Sequence, residues 1–336
     1  MPIAGVPTTV LVAPDAFKGT LRATEVSAAI GRGLERAGLQ TDLCPIADGG
    51  EGTLDALAGA VGAEICTAAV QDPVGRPIEA PFGLTPSSRR GATAVVEAAA
   101  ASGLHLVAGG ESDPITASTF GTGQLVAAAL EAGARTVFVG AGGTATTDGG
   151  AGAIGALRRS GGIPRGARLI VLCDVRTAFE DAARLFAPQK GATPDQVRRL
   201  TRRLNALARR FGERDPRGVP LTGAAGGLSG GLWAAFGAEL VPGAAHVLDA
   251  IGFEPRLRGA RAVVTGEGRL DEQSLAGKAL SEVATQARQS GVPCHAIVGS
   301  SALDPFGLRI LDLQAVLEAG DRAQLAAAGR RLAALL

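Results

Sequence analysis

Short apolar runs alternate with helix-length segments along most of the chain. The runs Thr9 to Ala13, Asp42 to Ile46, Thr136 to Gly140, Leu169 to Cys173, Ala262 to Thr265 and His295 to Val298 read as strands. Such alternation is the pattern of a parallel sheet with crossover helices. Thr24 to Ala37 predicts a helix with Thr24 as N-cap, stopping before Gly38. Pro194 to Phe211 carries Val197, Leu200, Leu204 and Leu207 at helical spacing, and Asp321 to Leu336 forms an amphipathic closing helix. From Glu64 to Arg90 the pattern changes, because Pro73, Pro77, Pro81 and Pro86 leave only short extended pieces. The expectation is an α/β protein whose parallel-sheet domain is discontinuous, residues 1–63 plus 256–336, with a second, mixed α/β domain, residues 64–255, inserted in it. The arginine run from Arg198 to Arg210 reads as the solvated face of one helix.

At 336 residues the chain is long enough for two such domains. With 33 basic against 32 acidic side chains it has no field to steer a polyanion, so no nucleic acid is expected as partner. Cys44, Cys66, Cys173 and Cys294 form no Cys-x-x-Cys pair and suit a reducing compartment. No basic side chain precedes Lys18 and Asp15 interrupts the apolar start, so no secretory signal is visible. The uncharged stretch Leu221 to Ala238 contains six glycines and is short for a membrane span. A cytoplasmic protein without membrane contact is the expectation. Two oddities remain. The 49 glycines cluster after apolar runs, and Lys18, Lys190 and Lys278 are the only lysines beside 30 arginines, each next to a glycine.

The informative pattern is the acid placed after several of the apolar runs: Asp15, Asp48, Asp174 and Glu267. In an open parallel sheet the carboxyl ends of the strands share an edge, where ligands sit. One acid at a strand end usually caps the next helix; four together point to a site. Gly-rich loops surround Asp48, Asp148 and Glu267 with Asp271, and glycine lets backbone amides approach an anion. Carboxylates there would repel a bare phosphate, but suit Mg²⁺ held between acids and a nucleotide. Lysines in such loops fit phosphate neutralisation, Lys190 being the one that reads most simply as an ordinary surface lysine.

Several motifs fail. There is no P-loop, because Lys278 precedes Ala279 and Glu272 stands where the first glycine should be. Gly140 to Ala145 matches the dinucleotide turn, yet the next strand-end acid, Asp174, lies 34 positions after Gly140 instead of about 20. An NAD-dependent dehydrogenase of a small hydroxy acid is therefore the second reading. His105 and His295 read as packed, and with His246 they have no metal-like spacing.

Pro14-Asp15-Ala16-Phe17-Lys18-Gly19, Ile46 to Thr53, Gly142 to Gly152, Pro188-Gln189-Lys190-Gly191-Ala192, Gly223 to Gly227 and Thr265 to Asp271 together resemble the bacterial glycerate kinase family, type 1, in family order over nearly the whole chain. The resemblance implies ATP-dependent phosphorylation of D-glycerate, most often on the 2-hydroxyl, giving 2-phosphoglycerate rather than 3-phosphoglycerate. It also implies a Rossmann-like parallel-sheet domain with an inserted mixed α/β domain and an active site in the cleft between them. Thr147 stands where the family commonly has Asn, and Arg176 to Asp181 replaces its usual Asn-Pro-Leu turn. A non-catalytic metabolite-binding relative is the third reading. The expected cofactors are ATP and Mg²⁺, the partner is D-glycerate, and the assembly considered is a homodimer. Lys18, Asp48 and Asp174 are the catalytic candidates; Gly142, Gly143, Thr144, Asp148 and Lys278 the nucleotide contacts; Asp148, Glu267 and Asp271 the metal candidates.

Overall fold

The computed structural model describes residues 9–88, 91–107 and 113–336. The start of the chain up to residue 8, part of the segment read for a secretory signal, and the end of the proline-broken stretch at 89–90 lie outside the described residues.

The chain runs β1 (Thr9–Pro14), α1 (Ala23–Glu35), β2 (Gln40–Leu43), α2 (Thr53–Val61), β3 (Glu64–Gln71), β4 (Pro77–Leu84), β5 (Ala92–Glu97), α3 (Ala98–Ser102), α4 (Phe120–Glu131) and β6 (Ala134–Gly140). It continues with α5 (Ala151–Arg159), β7 (Arg168–Cys173), α6 (Ala182–Phe186), α7 (Pro194–Arg210), α8 (Ala224–Phe236), β8 (Glu239–Pro242), α9 (Gly243–Ala250) and α10 (Phe253–Arg258). The last part holds β9 (Ala262–Gly266), β10 (Arg269–Leu270), α11 (Ala279–Ser290), β11 (Cys294–Val298), β12 (Ser300–Ser301), α12 (Pro305–Ile310), β13 (Leu313–Glu318) and α13 (Arg322–Ala333).

Two compact units result: the described residues up to Ala47 with Ala244–Leu336, and Asp48–Gly243. The boundaries expected at residues 63 and 256 fall instead at 47/48 and 243/244. The reason is packing. Leu54 of α2 fills the space beside Gly83 of β4, which ties α2 to the second unit, whereas Ala244, Leu248 and Phe253 belong to the core of the first.

The first unit is built on an all-parallel sheet in the order β13-β11-β9-β1-β2. Successive side chains of a strand point to opposite faces, and β1 shows it. Val10 and Val12 pack with Val26, Ile30 and Leu34 of α1 and Leu325 and Leu332 of α13. Leu11 and Ala13 pack on the other face with Phe253, Leu257, Leu280 and Val283. Both faces covered by helices is what a parallel sheet requires. The helix expected from Thr24 starts at Ala23, and Arg22 is its N-cap; the Glu25 carboxylate accepts the Arg22 amide. Strand β2 ends at Leu43, short of the run expected to reach Ile46, yet Cys44 and Ile46 still donate to the Val12 and Pro14 carbonyls, at 2.8 and 3.0 Å.

The second unit has a six-stranded mixed sheet, β3-β4-β5-β6-β7-β8. The proline-broken segment forms the antiparallel β3–β4 pair, and β5 to β8 are mutually parallel. Its core joins Val96, Val137, Val139, Leu169 and Val171 to Leu125 of α4 and Leu228 and Leu232 of α8. The amphipathic α7 buries Leu200 and Leu204 against Phe179 and Ala183. The alternating α/β pattern thus gives the Rossmann-like parallel sheet and the mixed sheet that were expected, among the described residues.

Cys44, Cys173 and Cys294 are buried free thiols and Cys66 is half-buried. Burial pushes the Cys44 thiol up to about 11 and that of Cys294 to about 12. Among the described residues no helix is long and apolar enough to cross a membrane.

Candidate functional site

In the first unit, strand order reverses between β1, which continues to β2 on one side, and β9, which continues to β11 on the other. At such a switch point the two outgoing loops diverge and leave a crevice at the carboxyl ends of the strands. The register pairs Pro14 with Gly266, so the next residues, Asp15 and Glu267, emerge side by side. Both line a cavity of about 440 Å³ with Lys18, Arg269, Asp271, Lys278 and Ser300. Three acids thus share it with three cations.

Each group is differently held. Asp15 is buried, 4% exposed, and accepts the Ala16 amide at 2.7 Å. Lys18 is exposed on the turn that Phe17 and Leu21 close by a backbone bridge. Asp271 caps the single 3₁₀ turn Glu272–Ala276 by accepting the Gln273 amide at 2.9 Å, and pairs with Arg269 at 3.4 Å. Lys278 reaches the Gln273 side-chain oxygen at 3.3 Å. Two hard carboxylates at neighbouring strand ends beside lysines suit Mg²⁺ that arrives with phosphate oxygens, since that ion needs only one or two carboxylates from the protein.

The second unit gathers a separate set at the carboxyl ends of β5 to β8. The Asp48–Gly50 loop is pressed onto this edge with no room for a side chain at Gly49. A Cβ on Gly49, where φ is +97°, would lie 2.6 Å from the Leu172 carbonyl oxygen. A Cβ on Gly142 would lie 2.6 Å from Gly50 Cα and 3.1 Å from an Asp174 carboxylate oxygen. Asp48, 1% exposed, accepts the Gly50 amide at 2.9 Å. Gly142, Gly143 and Thr144 come directly after β6, and Thr144 and the hydroxyls of Thr146 and Thr147 are buried there.

The four strand-end acids therefore do not share one sheet edge. Asp15 and Glu267 come after β1 and β9 of the first sheet, and Asp174 after β7 of the second, with the Asp48 loop laid beside it.

Four sequence expectations are corrected. Asp148, expected at the nucleotide and the metal, is committed elsewhere: its carboxylate accepts from Thr119 N at 2.9 Å, Thr119 Oγ1 at 2.8 Å, and Gly150 and Gly152 N at 3.0 Å each. It anchors the start of α5, so the positive end of that helix is already neutralised by the chain itself. The dinucleotide reading of Gly140 to Ala145 fails for the same reason, because α5 begins only at Ala151 and its amides hold a carboxylate. Lys190 is no surface lysine: it is 7% exposed and donates to the Thr146 carbonyl at 2.6 Å. Of the histidines, His295 is buried as expected, but His105 is exposed.

Two groups escape sequence reasoning. Glu97 ends β5 opposite Gly140 in the register and accepts the Leu54 amide at 2.7 Å, fixing the start of α2. Burial pushes its carboxyl up to about 7 in spite of that bond. Arg203 of α7 donates to the Thr147 and Ile115 carbonyls at 2.7 and 2.6 Å, bracing the loop that carries Asp148. Val95-Val96-Glu97 shows the same strand-then-acid signal as the other loops; nothing local marks Arg203.

A glycerate kinase family model matches residues 10–161 and 162–333. A glycerate kinase of Halalkalibacterium halodurans is 36% identical, covering 93% of this chain and 94% of its own. One of Bacillus subtilis is 39% identical, covering 88% and 86%. A glycerate 2-kinase of Escherichia coli is 36% identical over 87% of this chain and 85% of its own. A crystal structure of a glycerate kinase 2 candidate from Salmonella typhimurium LT2 superposes with a TM-score of 0.78 at 33% identity, covering 97% of both chains. The switch-point cavity, the glycine-lined acids of the second unit and this similarity over almost the whole length agree: the chain belongs to the glycerate kinase family and is an enzyme of the kinase class.

Proposed function

We propose that the enzyme transfers the γ-phosphoryl group of ATP to the 2-hydroxyl of D-glycerate, forming 2-phosphoglycerate and ADP. The observation that carries this reading is the pairing, within each unit, of carboxylates with glycine turns at the carboxyl ends of parallel strands. Little covalent chemistry is asked of the protein in such a transfer; positioning and charge neutralisation do most of the work.

Lys18, exposed beside the buried Asp15, contacts the transferring phosphate or the substrate carboxylate. Asp174 orients the acceptor hydroxyl and takes its proton, with Asp48 as the other base. Gly142, Gly143 and Thr144 cradle nucleotide phosphates, and Lys278 neutralises phosphate charge in the first unit. One or two of Glu267, Asp271 and Asp15 would hold Mg²⁺, which would supply charge neutralisation for the phosphate oxygens. Asp148 is left out of both sets. The name of the Escherichia coli relative supports the 2-hydroxyl as acceptor.

The test is a coupled assay with Mg-ATP and a panel of D-glycerate, L-glycerate, lactate and glycolate, with the product identified by ³¹P and ¹H NMR. D-glycerate-dependent ADP release with phosphate on carbon 2 is expected. Phosphate on carbon 3 overturns the regiochemistry. No glycerate-dependent ADP, with glycerate-dependent NADH instead, overturns the kinase reading in favour of the dehydrogenase.

A further inference from the structure

Lys190 sits where a lysine is physically expensive. It ends the 3₁₀ turn Pro188–Lys190, which Gly191 closes at φ +87° before Thr193 caps α7. The turn is held from behind by the α6–α7 core of Phe179, Ala183, Ala187, Leu200 and Leu204. From that fixed base the side chain crosses to the loop between β6 and α5. Its Nζ donates to the Thr146 carbonyl at 2.6 Å and faces Thr144 Oγ1 at 3.4 Å.

Burying an ammonium is unfavourable unless its charge is used. Burial lowers Lys190 to about 8, and the attraction of Asp174 and Asp148 opposes that shift. A methionine would fill the same space without the desolvation penalty, in a chain that otherwise prefers arginine. Of the two carboxylates facing the ammonium, Asp148 is held by Thr119 and the α5 amides. Asp174 is the one at the strand end beside Gly142. Arg203, on α7, braces the next carbonyl along, that of Thr147, so the loop backbone has a second anchor that does not depend on Lys190.

We propose that Lys190 is a positioning residue for phosphoryl transfer: it pins the Thr144–Thr146 turn through the Thr146 carbonyl and sets a buried positive charge opposite Asp174. The inference rests on the proposed role of Asp174 as the acid that orients the acceptor hydroxyl. It assigns Lys190 no contact with substrate. It acts through the phosphate-binding turn and through that acid.

The charged groups facing Nζ are Asp174 from the end of β7 and Asp148 from the loop before α5, while Arg203 of α7 holds the Thr147 carbonyl of that loop. Loss of the ammonium proton removes the positive charge opposite Asp174 as pH rises through about 8.

The experiment compares wild type, K190M, K190R and D174N in steady-state kinetics from pH 6 to 10, with thermal unfolding of each. K190M is expected to lose at least about 50-fold in kcat at pH 7 with a Tm equal to or above wild type, and to show no alkaline limb of its own near pH 8. K190R keeps its charge at every pH used, so it is expected to retain measurable turnover with the alkaline limb displaced upward or absent. K190M turnover within threefold of wild type overturns the proposal, as does a loss of turnover matched by a loss of folded protein. If K190M is recovered unfolded, K190R decides: an alkaline limb left at the wild-type position overturns it. D174N separates the two layers. Full activity of D174N sinks the reading of Asp174 itself, whereas an inactive D174N beside a fully active K190M sinks only the role of Lys190.

Discussion

Replacing Asp148 by alanine tests most directly whether this carboxylate builds the loop or binds the metal. It accepts from two groups of Thr119 and from the Gly150 and Gly152 amides, at 2.8 to 3.0 Å, and is 7% exposed. Removing an N-terminal cap costs about 0.5–2 kcal/mol. Each buried donor left without an acceptor adds about 1–3 kcal/mol. The Thr119 hydroxyl keeps one bond, accepting Ala153 N at 3.0 Å, so the effects overlap and a total of about 3–5 kcal/mol is expected. Set against a folding stability of about 5–15 kcal/mol, that is a loss of about 10 °C in Tm for a unit this size. D148N keeps one acceptor oxygen and should fall about halfway. Urea and thermal melts measure the stability, and a Mg²⁺ titration of turnover measures metal use. D148A melting within about 1 kcal/mol of wild type, close to the scale of ordinary surface substitutions, while needing roughly tenfold more Mg²⁺, would refute the structural assignment and restore Asp148 to the metal.

Four further outcomes are expected from the same geometry. D174N should collapse turnover while leaving ATP affinity, measured by calorimetry, nearly intact; unchanged turnover rejects Asp174 as the orienting acid. K18M removes an exposed cation, so Tm should hold while kcat/KM falls by roughly 10²-fold or more, about 3 kcal/mol of transition-state stabilisation; a variant altered only in Tm would make Lys18 structural. G142A forces a methyl group to 2.6 Å from Gly50 Cα and should cost about 1–3 kcal/mol in overpacking, with activity falling further than stability because the Asp48 loop is pushed from Asp174. Glu97 carries a folded-state value of about 7 against 4.5 for an ordinary glutamate. The folded protein then holds a proton that the unfolded chain has released, so its contribution is full below about pH 4.5 and is lost as pH rises through about 7. E97Q should flatten that slope in a series of melts, and an unchanged slope would show that Glu97 is not its source.

Places where chemistry collects are legible in the sequence, and a role that depends on a distant partner is not. A continuous apolar run ending in an acid is a local signal with a physical cause: a strand buried on both faces ends at a polar edge. Asp15, Asp174 and Glu267 follow such strands, whereas Asp48 follows the largely buried run Cys44 to Ala47 beyond the exposed edge strand β2. Glu97 obeys the same rule and escapes notice because the proline-broken hairpin upstream obscures β5 as a strand. What separates the acids into two sheets is long-range packing: the Asp48 loop leaves the first sheet and lies against Leu172 and Gly142 of the second, and no local pattern records that. The same limit explains Asp148 and Lys190. Both sit in glycine-rich turns, which makes one look like a metal ligand and the other like a surface lysine. Their actual partners, Thr119 and Thr146, lie 29 and 44 positions away. Glycine turns bring backbone close enough for an anion, and equally close enough for the protein's own carboxylate to take the anion's place, as Asp148 does at α5. A charged residue in such a loop is therefore assigned by the hydrogen bonds already spent on it: two groups of Thr119 and two helix amides for Asp148, which leave it structural, and a carbonyl with an opposing acid for Lys190, which leaves its charge available to the site.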